Sequence, residues 1–346
     1  MPGLKFVDAI KLSTSVGFPL SGEKRKYVYV ATTVEELQEY YKTVGGEPTQ
    51  QELDRLDPAN NFCFQVVKPI AEISDEIERI EECYRKGERG YTIAKACKKD
   101  EILSKEKCRI FYGNAIALTF LIRKYYLPLL RVLQMNPLVS ECAVGINSHG
   151  PEWNEFYEHA TKFGLDRLIG GDYGKYDQKL PSQLIIAALR ILIDCAKVCN
   201  YTDEDILIME TMVGDIVYSV IAFNGDLIGL TEGTHISGNS LTVIINGICG
   251  SLNLRCFFFS FPENKGLRFR DFVALMTYGD DNIGSVSDQI DNFTIKGASL
   301  FLAKYGQKYT MPDKESELTD FLPAEEFEFL KRKSIYHPEL GVHVGA

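Results

Sequence analysis

The stretch that most constrains the fold is FVALMTYGDDNIGSV, residues 272–286, in which two apolar runs flank Gly279-Asp280-Asp281. Apolar runs joined by a short turn of this kind predict a buried β-hairpin. Such a turn ordinarily takes Asn-Gly or Asp-Gly, with at most one charge at its tip, whereas here two carboxylates are adjacent. Two readings are open at this point. Either both aspartates are solvated turn residues, Asp being a common turn former, or they hold a hard divalent cation, which takes oxygen ligands and removes their mutual repulsion. A lone Asp-Asp does not decide the matter, and the rest of the chain has to supply further ligands.

With 346 residues, 45% hydrophobic and 25% charged, the chain has a globular composition and room for more than one packed unit. Its longest apolar runs, CFFFSF at 256–261 and LIIAALRILI at 184–193, fall short of a membrane span, and Arg190 interrupts the second. The N-terminus has no continuous apolar segment after a basic start, so it does not read as a signal peptide and points to an intracellular chain. Nine cysteines are scattered, and the close pair Cys195 and Cys199 has no histidine beside it. That is not zinc-site spacing, and an odd total without a secretion signal reads as reduced thiols that fill the core. A net charge of −10 argues against indiscriminate nucleic-acid binding. Basic residues are nonetheless clustered at Lys24-Arg25-Lys26, 95–109, Arg123-Lys124, Lys265/Arg268/Arg270 and Lys331-Arg332-Lys333, where they either face solvent or line a channel.

Apolar spacing predicts helices over 34–44, 73–84 with Gly87 as the stop, 115–133, 151–163, 182–199 and 291–305. RLIGGDYGKYDQKLP, 167–181, begins as a strand. Strands interspersed with helices predict an α+β layer with the 271–287 hairpin at its centre. Asp172, at the end of that strand, is the best candidate for a third carboxylate, because a two-metal site needs several oxygen ligands around ions about 4 Å apart. Asp177 follows, beyond Gly174, which permits a tight turn or a close approach to a ligand. Alternatively, Asp177 caps the helix that begins near Pro181. In GTHISGNSLTVIINGICG, 233–250, Gly238, Thr242 and Asn246 are spaced four apart and are predicted to share one helical face. A polar stripe on an apolar helix needs partners, either neighbouring backbone or a ligand.

The ordered set Asp172-x4-Asp177, Ser237-Gly238-x3-Thr242-x3-Asn246 and Tyr278-Gly279-Asp280-Asp281 resembles palm motifs A, B and C of viral RNA-dependent RNA polymerases, in particular those of picorna-like viruses, including dicistrovirus-like and marine members. STSVGFPLSGEKRK, 13–26, is similar to the motif G loop of the fingers, and KKDEILSKEKCR, 98–109, to the basic motif F. KYGQKYTMPDKE, 304–315, looks like motif D, and FLKRK, 329–333, like motif E. Seven motifs in the family's order are far more specific than any one of them. The resemblance implies an α+β right-hand polymerase with an antiparallel-sheet palm and mixed fingers. Its implied parts are fingers over 1–165, palm over 166–214, a fingers return segment over 215–232 and palm again over 233–346. It further implies that the family's N-terminal fingertip segment and helical thumb are missing from the chain.

The implied activity is template-directed RNA synthesis from ribonucleoside triphosphates. Asp172 and Asp280 are implied to bridge two Mg2+ ions, with Mn2+ as an alternative, and Asp281 to be an auxiliary ligand. Lys99 and Arg109 match motif F positions on the triphosphate, and Lys314 matches the lysine that protonates pyrophosphate or contacts the triphosphate. Asp177 and Asn246, with Ser237, Gly238 and Thr242, form the set for a ribose 2′-hydroxyl, and Tyr173 and Gly174 complete the nucleotide-binding stretch. Thr14, Ser15, Lys331 and Arg332 are implied to meet template or primer RNA. Reverse transcriptases share an Asp-Asp turn but place a bulky aromatic at the position of Asp177 and lack the Ser-Gly/Thr/Asn helix, so ribonucleotides are expected. One departure is Leu103, where the family commonly carries arginine, with Lys105 or Lys107 as substitutes. The implied partners are template and nascent RNA, nucleotides and other viral replication proteins, with no transmembrane segment. The implied location is the host cytoplasm, peripheral to membrane-associated replication complexes. Two other classes of function are a fingers-palm fragment that binds RNA or nucleotide without efficient elongation, and an unrelated metal-binding α/β protein, which would require all seven motifs to coincide by chance.

Overall fold

The computed structural model describes residues 5–7, 9–59, 65–98, 110–231, 234–236 and 238–346. In chain order its elements begin with β1 (Val28–Ala31), α1 (Val34–Val44), α2 (Gln50–Leu56), β2 (Val66–Pro69), α3 (Ala71–Arg85), β3 (Ile93–Lys98), β4 (Ile110–Gly113) and α4 (Ile116–Met135). There follow α5 (Pro137–Ser140), α6 (Pro151–Ala160), β5 (Leu168–Gly174), α7 (Tyr176–Lys179), α8 (Ser182–Val198), α9 (Asp203–Val217), β6 (Val220–Phe223) and β7 (Asp226–Gly229). The last are α10 (Thr242–Phe259), α11 (Phe269–Phe272), β8 (Val273–Tyr278), β9 (Asp281–Val286), α12 (Ile295–Ala303), β10 (Lys308–Thr310), β11 (Glu328–Phe329), β12 (Arg332–His337) and β13 (Val342–Gly345).

Local signals account for the helix starts. Thr33, Thr49 and Thr202 each form a reciprocal capping box, with Glu36, Glu52 and Asp205 respectively, which satisfies backbone donors that a helix start otherwise leaves without partners. The helix expected over 291–305 begins later, at Ile295, because the Thr294 hydroxyl accepts from the Gly297 amide and ends the preceding loop.

The chain forms two compact units, one of Met1–Arg131, Leu192–Thr231 and Ile236–Ser240, the other of Val132–Ile191, Glu232–His235 and Leu241–Ala346. These divide the chain differently from the expected 165/166 and 214/215 boundaries. The first unit contains a mixed sheet of order β4-β3-β6-β7, in which β3 and β6 run parallel, and a β1-β2 pair. The second contains an antiparallel sheet of order β10-β5-β9-β8 and a smaller sheet of order β11-β12-β13.

The hairpin is therefore not at the centre of its sheet as expected: β5 and β9 are the inner strands and β8 is an edge. That edge is covered rather than open. The Thr277 amide donates to the Glu141 carbonyl at 2.8 Å, and the Ala143 amide to the Thr277 carbonyl at 2.8 Å. With α6 and α10 also packed on β8, residues Val273 to Thr277 are all buried, which accounts for an unbroken apolar run in place of alternation. Helix α10 is long and apolar enough to cross a membrane by length and composition. Here it packs on β8, β9 and α12 as a core helix. All seven described cysteines are free thiols, but only Cys142 and Cys249 are buried, and Cys199 and Cys256 are exposed, so the core-filling role holds for part of the set.

Candidate active site

Tyr278 pairs with Asp281 across the hairpin, leaving Gly279 and Asp280 as a two-residue loop. Gly279 has a φ of +63° and Asp280 is not in the left-handed region, the pattern of a type II′ turn, which calls for glycine at its first central position. Asp280 is thus the exposed tip. On the neighbouring strand, pairs run from Leu168↔Ser285 to Gly171↔Asn282, so one further step of the same register brings Asp172 beside Asp281. Thr310 flanks Asp172 on the other side. Residues in one row of an antiparallel sheet share a face, and the two carboxylates therefore point the same way at one end of the sheet, next to Asp280.

Their charges interact. Burial pushes the Asp281 carboxyl up from its ordinary value, the charges of Asp280 and Asp172 push it further, and the Lys314 and Lys331 ammonium groups oppose them. Lys314 Nζ lies 2.9 Å from Asp172 Oδ1. Among the described residues no three His, Cys, Asp or Glu side chains are grouped closely enough to enclose a metal ion. The donor set of Asp172, Asp280 and Asp281 nonetheless fits a hard divalent cation: its atoms are all oxygen, its charges repel, and a cation, the Lys314 ammonium, is seated on Asp172.

Asp177 lies in α7, and Asn246 Nδ2 donates to its Oδ1 at 2.8 Å. This engages the carboxylate that would otherwise be available to cap α8. The Asp177 carbonyl accepts from the His235 amide at 2.8 Å, and the Asn246 carbonyl from the Tyr176 hydroxyl at 3.0 Å. Burial raises the Asp177 pKa, the Asn246 bond lowers it, and the charge of Asp280 raises it, which couples this pair to the hairpin tip. Asn246 Oδ1 is buried with no partner among the described residues, an acceptor left over for a ligand hydroxyl.

Several expected site residues stand differently. Strand alternation turns the Tyr173 ring away from the face of Asp172 and into the core, where it is 4% exposed and packs on Tyr176 and Tyr309, so its side chain is not available to a nucleotide. Gly174 pairs with Lys308 on β10. Gly238 is not on the helix, because α10 starts at Thr242 and Gly238 lies in the preceding turn; only Thr242 and Asn246 share the face. A Cβ at Gly238 would lie 1.9 Å from the Tyr112 carbonyl oxygen, so a close backbone approach is what requires glycine there. Lys24 Nζ donates to Thr14 Oγ1 at 2.7 Å and to the Ser15 carbonyl at 2.8 Å, and holds that loop together. Lys331 and Leu330 form the two-residue loop between β11 and β12 with φ of +60° and +54°, a conformation usually left to Asn-Gly, and Arg332 donates to the Gly345 carbonyl at 3.3 Å. Lys99, Arg109 and Ser237, with Leu103, Lys105 and Lys107, lie outside the described residues.

One group was not singled out from the sequence. Glu141, 4% exposed and left-handed at φ +57°, accepts from Arg255 Nη2 at 2.6 Å and Nη1 at 2.8 Å, and from Ser251 Oγ at 2.7 Å, with Arg270 Nε 3.6 Å away. Its carbonyl accepts from both the amide and the hydroxyl of Thr277, at 2.8 and 2.9 Å. This brace holds β8 three residues before Asp280. No local pattern announces it, since Arg255 is 114 positions away.

The family model described as viral RNA-dependent RNA polymerase matches residues 3–342. The chain is 27% identical over 350 residues to the genome polyprotein of Deformed wing virus and 26% identical over 361 residues to the replicase polyprotein of Drosophila C virus (strain EB). Each alignment takes in 98% of this chain, but the chain spans only 11% and 19% of those polyproteins. Among solved structures, Sicinivirus 3Dpol RNA dependent RNA polymerase matches with a TM-score of 0.74 at 18% identity, over 100% of this chain and 64% of that one. At that identity the likeness speaks to the fold, a right-hand viral polymerase of mixed α and β content. Because the family match takes in the carboxylate row, the Asp177–Asn246 pair and the 330–331 turn together, the chain belongs to the viral RNA-dependent RNA polymerases, as its resemblance to the picorna-like members implied.

Proposed function

We propose that the chain carries out template-directed synthesis of RNA from ribonucleoside triphosphates, for viral genome replication. The observation that carries this reading is the sheet row in which Asp172 and Asp281 share one face beside Asp280 at the hairpin tip. Asp172, Asp280 and Asp281 would hold Mg2+, or Mn2+ in its place, which when bound lowers the pKa of an attacking 3′-hydroxyl and neutralises charge on the phosphates. Lys314 would bring a proton to the leaving pyrophosphate, or its positive charge to the triphosphate. Asp177 and Asn246 would bond the ribose 2′-hydroxyl, the spare Asn246 Oδ1 accepting a hydrogen bond from it. Thr242 and Ser237 would flank that pair.

Lys99 and Arg109 would steady the triphosphate, and Thr14, Ser15, Lys331 and Arg332 would meet the RNA backbone, whose contacts position without reading sequence. In this assignment the antiparallel sheet of the second unit is the palm and the mixed sheet of the first belongs to the fingers. Template RNA, nascent RNA and other viral replication proteins would be the partners, at the periphery of replication membranes in the host cytoplasm. The test is single-nucleotide incorporation with ribo- and deoxyribonucleotides on RNA and DNA templates. Preference for ribonucleotides on RNA is the expected result. Equal use of deoxyribonucleotides would move the chain to the reverse-transcriptase class.

A further inference from the structure

Lys314 has a second relation to the carboxylate row besides the one its motif suggests. It sits in the turn after β10 with a φ of +69°, its amide donating to the Met311 carbonyl at 2.9 Å. The turn is closed from below by Asp313, whose Oδ1 accepts from the amides of Glu315 and Ser316 at 3.1 Å each. The backbone of the turn is thus held by its own bonds. The link from Lys314 to Asp172 is made by the side chain, which can leave without unmaking the turn. Asp172 is 15% exposed and Lys314 is 66% exposed, so the ammonium reaches a sheltered carboxylate from solvent. An ammonium in contact with Asp172 Oδ1 and a divalent cation seek the same oxygen, and two cations in contact with one oxygen repel each other.

Building on the reading of the carboxylate row above, we propose that Lys314 is the resident counter-ion of Asp172 and sets the metal affinity of the row: Asp172 exchanges the ammonium for a divalent cation, and the ammonium released by the exchange is the one available to substrate phosphates. The exchange ties the freeing of a cationic donor to the loading of the site. Before loading, the same lysine sets a positive charge 2.9 Å from Asp172 Oδ1.

The test is Mn2+ binding to the chain without nucleotide or RNA, read from the electron paramagnetic resonance signal of free Mn2+. Lys314→Met keeps an unbranched side chain one heavy atom shorter and removes its charge. It should tighten Mn2+ binding by about two- to fivefold, the equivalent of one largely exposed ion pair, and the gain should shrink as ionic strength rises. Lys314→Arg should stay near the native affinity, because it keeps the competing charge. Lys331→Met removes a charge from the same neighbourhood without breaking a contact to Asp172, and should tighten binding less. Unchanged or weaker binding by Lys314→Met, or an equal gain in Lys331→Met, overturns the exchange. Asp172→Asn separates this failure from that of the site itself. If Mn2+ binding ignores Asp172, the carboxylate assignment falls and the exchange with it; if binding needs Asp172 but is indifferent to Lys314, the exchange alone falls.

Discussion

Substituting Arg255 by methionine should cost the second unit about 3 kcal/mol of stability. Arg255 bonds Glu141 at 2.6 and 2.8 Å, and the Glu141 side chain is 6% exposed. Removing one partner of such a buried pair leaves a charge without compensation, a loss of roughly 3–5 kcal/mol. Ser251 at 2.7 Å and Arg270 at 3.6 Å stay behind to soften it, which selects the lower end. The pH dependence has a definite sign. Burial pushes the Glu141 pKa up, but the bonds and charge of Arg255, the Ser251 hydroxyl and Arg270 together hold it below the ordinary value. A carboxyl depressed on folding contributes stability above its unfolded pKa of about 4.3, and that contribution disappears as pH falls through the folded value. Without Arg255, burial dominates, and acid relieves the misplaced charge. The gap between variant and native chain is therefore widest near neutrality and narrows in acid. Trp153, the sole tryptophan, is 3% exposed in the second unit, so its fluorescence in urea follows that unit. A loss under about 1 kcal/mol at neutral pH, within reach of an ordinary surface pair, would refute the brace. So would a gap that does not shrink on acidification.

Asp177→Ala should narrow the preference for ribonucleotides by up to the ~1–3 kcal/mol of a lost buried partner, measured as the ratio of kcat/KM for matched ribo- and deoxyribonucleotides; an unchanged ratio moves that role elsewhere. Gly238→Ala drives a methyl group into the Tyr112 carbonyl, 1.9 Å from the ideal Cβ position, so the turn or β4 has to shift. Amide exchange at 110–113 should rise in that variant, and an identical exchange pattern would contradict the close approach.

The parts of the fold that could be read from the sequence are those that rest on neighbouring residues. The hairpin is written in two apolar runs and a glycine that meets a positive φ, and α1 in its apolar spacing; α2 and α9 lie outside the expected helices, although Thr49 and Thr202 stand three positions before Glu52 and Asp205 and cap their starts. Asp172 is legible because it closely follows the apolar run Leu168-Ile169, but the strand end expected there is not observed: β5 continues to Gly174, paired with β10. What escaped depends on tertiary placement. Tyr173 carries no mark that separates a ring facing a ligand from one facing the core; only strand alternation relative to Asp172 decides it. Four-residue spacing put Gly238 on the helix face, but spacing cannot locate a helix start, and Leu241 provides no capping side chain to signal one. The Leu330-Lys331 turn contains none of the residues that favour positive φ, and Glu141 finds its partners far along the chain.

The central claim is tested most directly at Asp280. Asparagine there preserves the shape of an exposed turn residue and removes its charge, so the fold should persist. The measurement is primer extension on an RNA template with Mg2+ and ribonucleotides, using this chain and the same chain extended to the length of the solved polymerase it matches. Mg2+-dependent incorporation by the native protein and its loss in Asp280→Asn is the predicted result. Near-native synthesis by Asp280→Asn, or no incorporation by the native protein at either length, would contradict it.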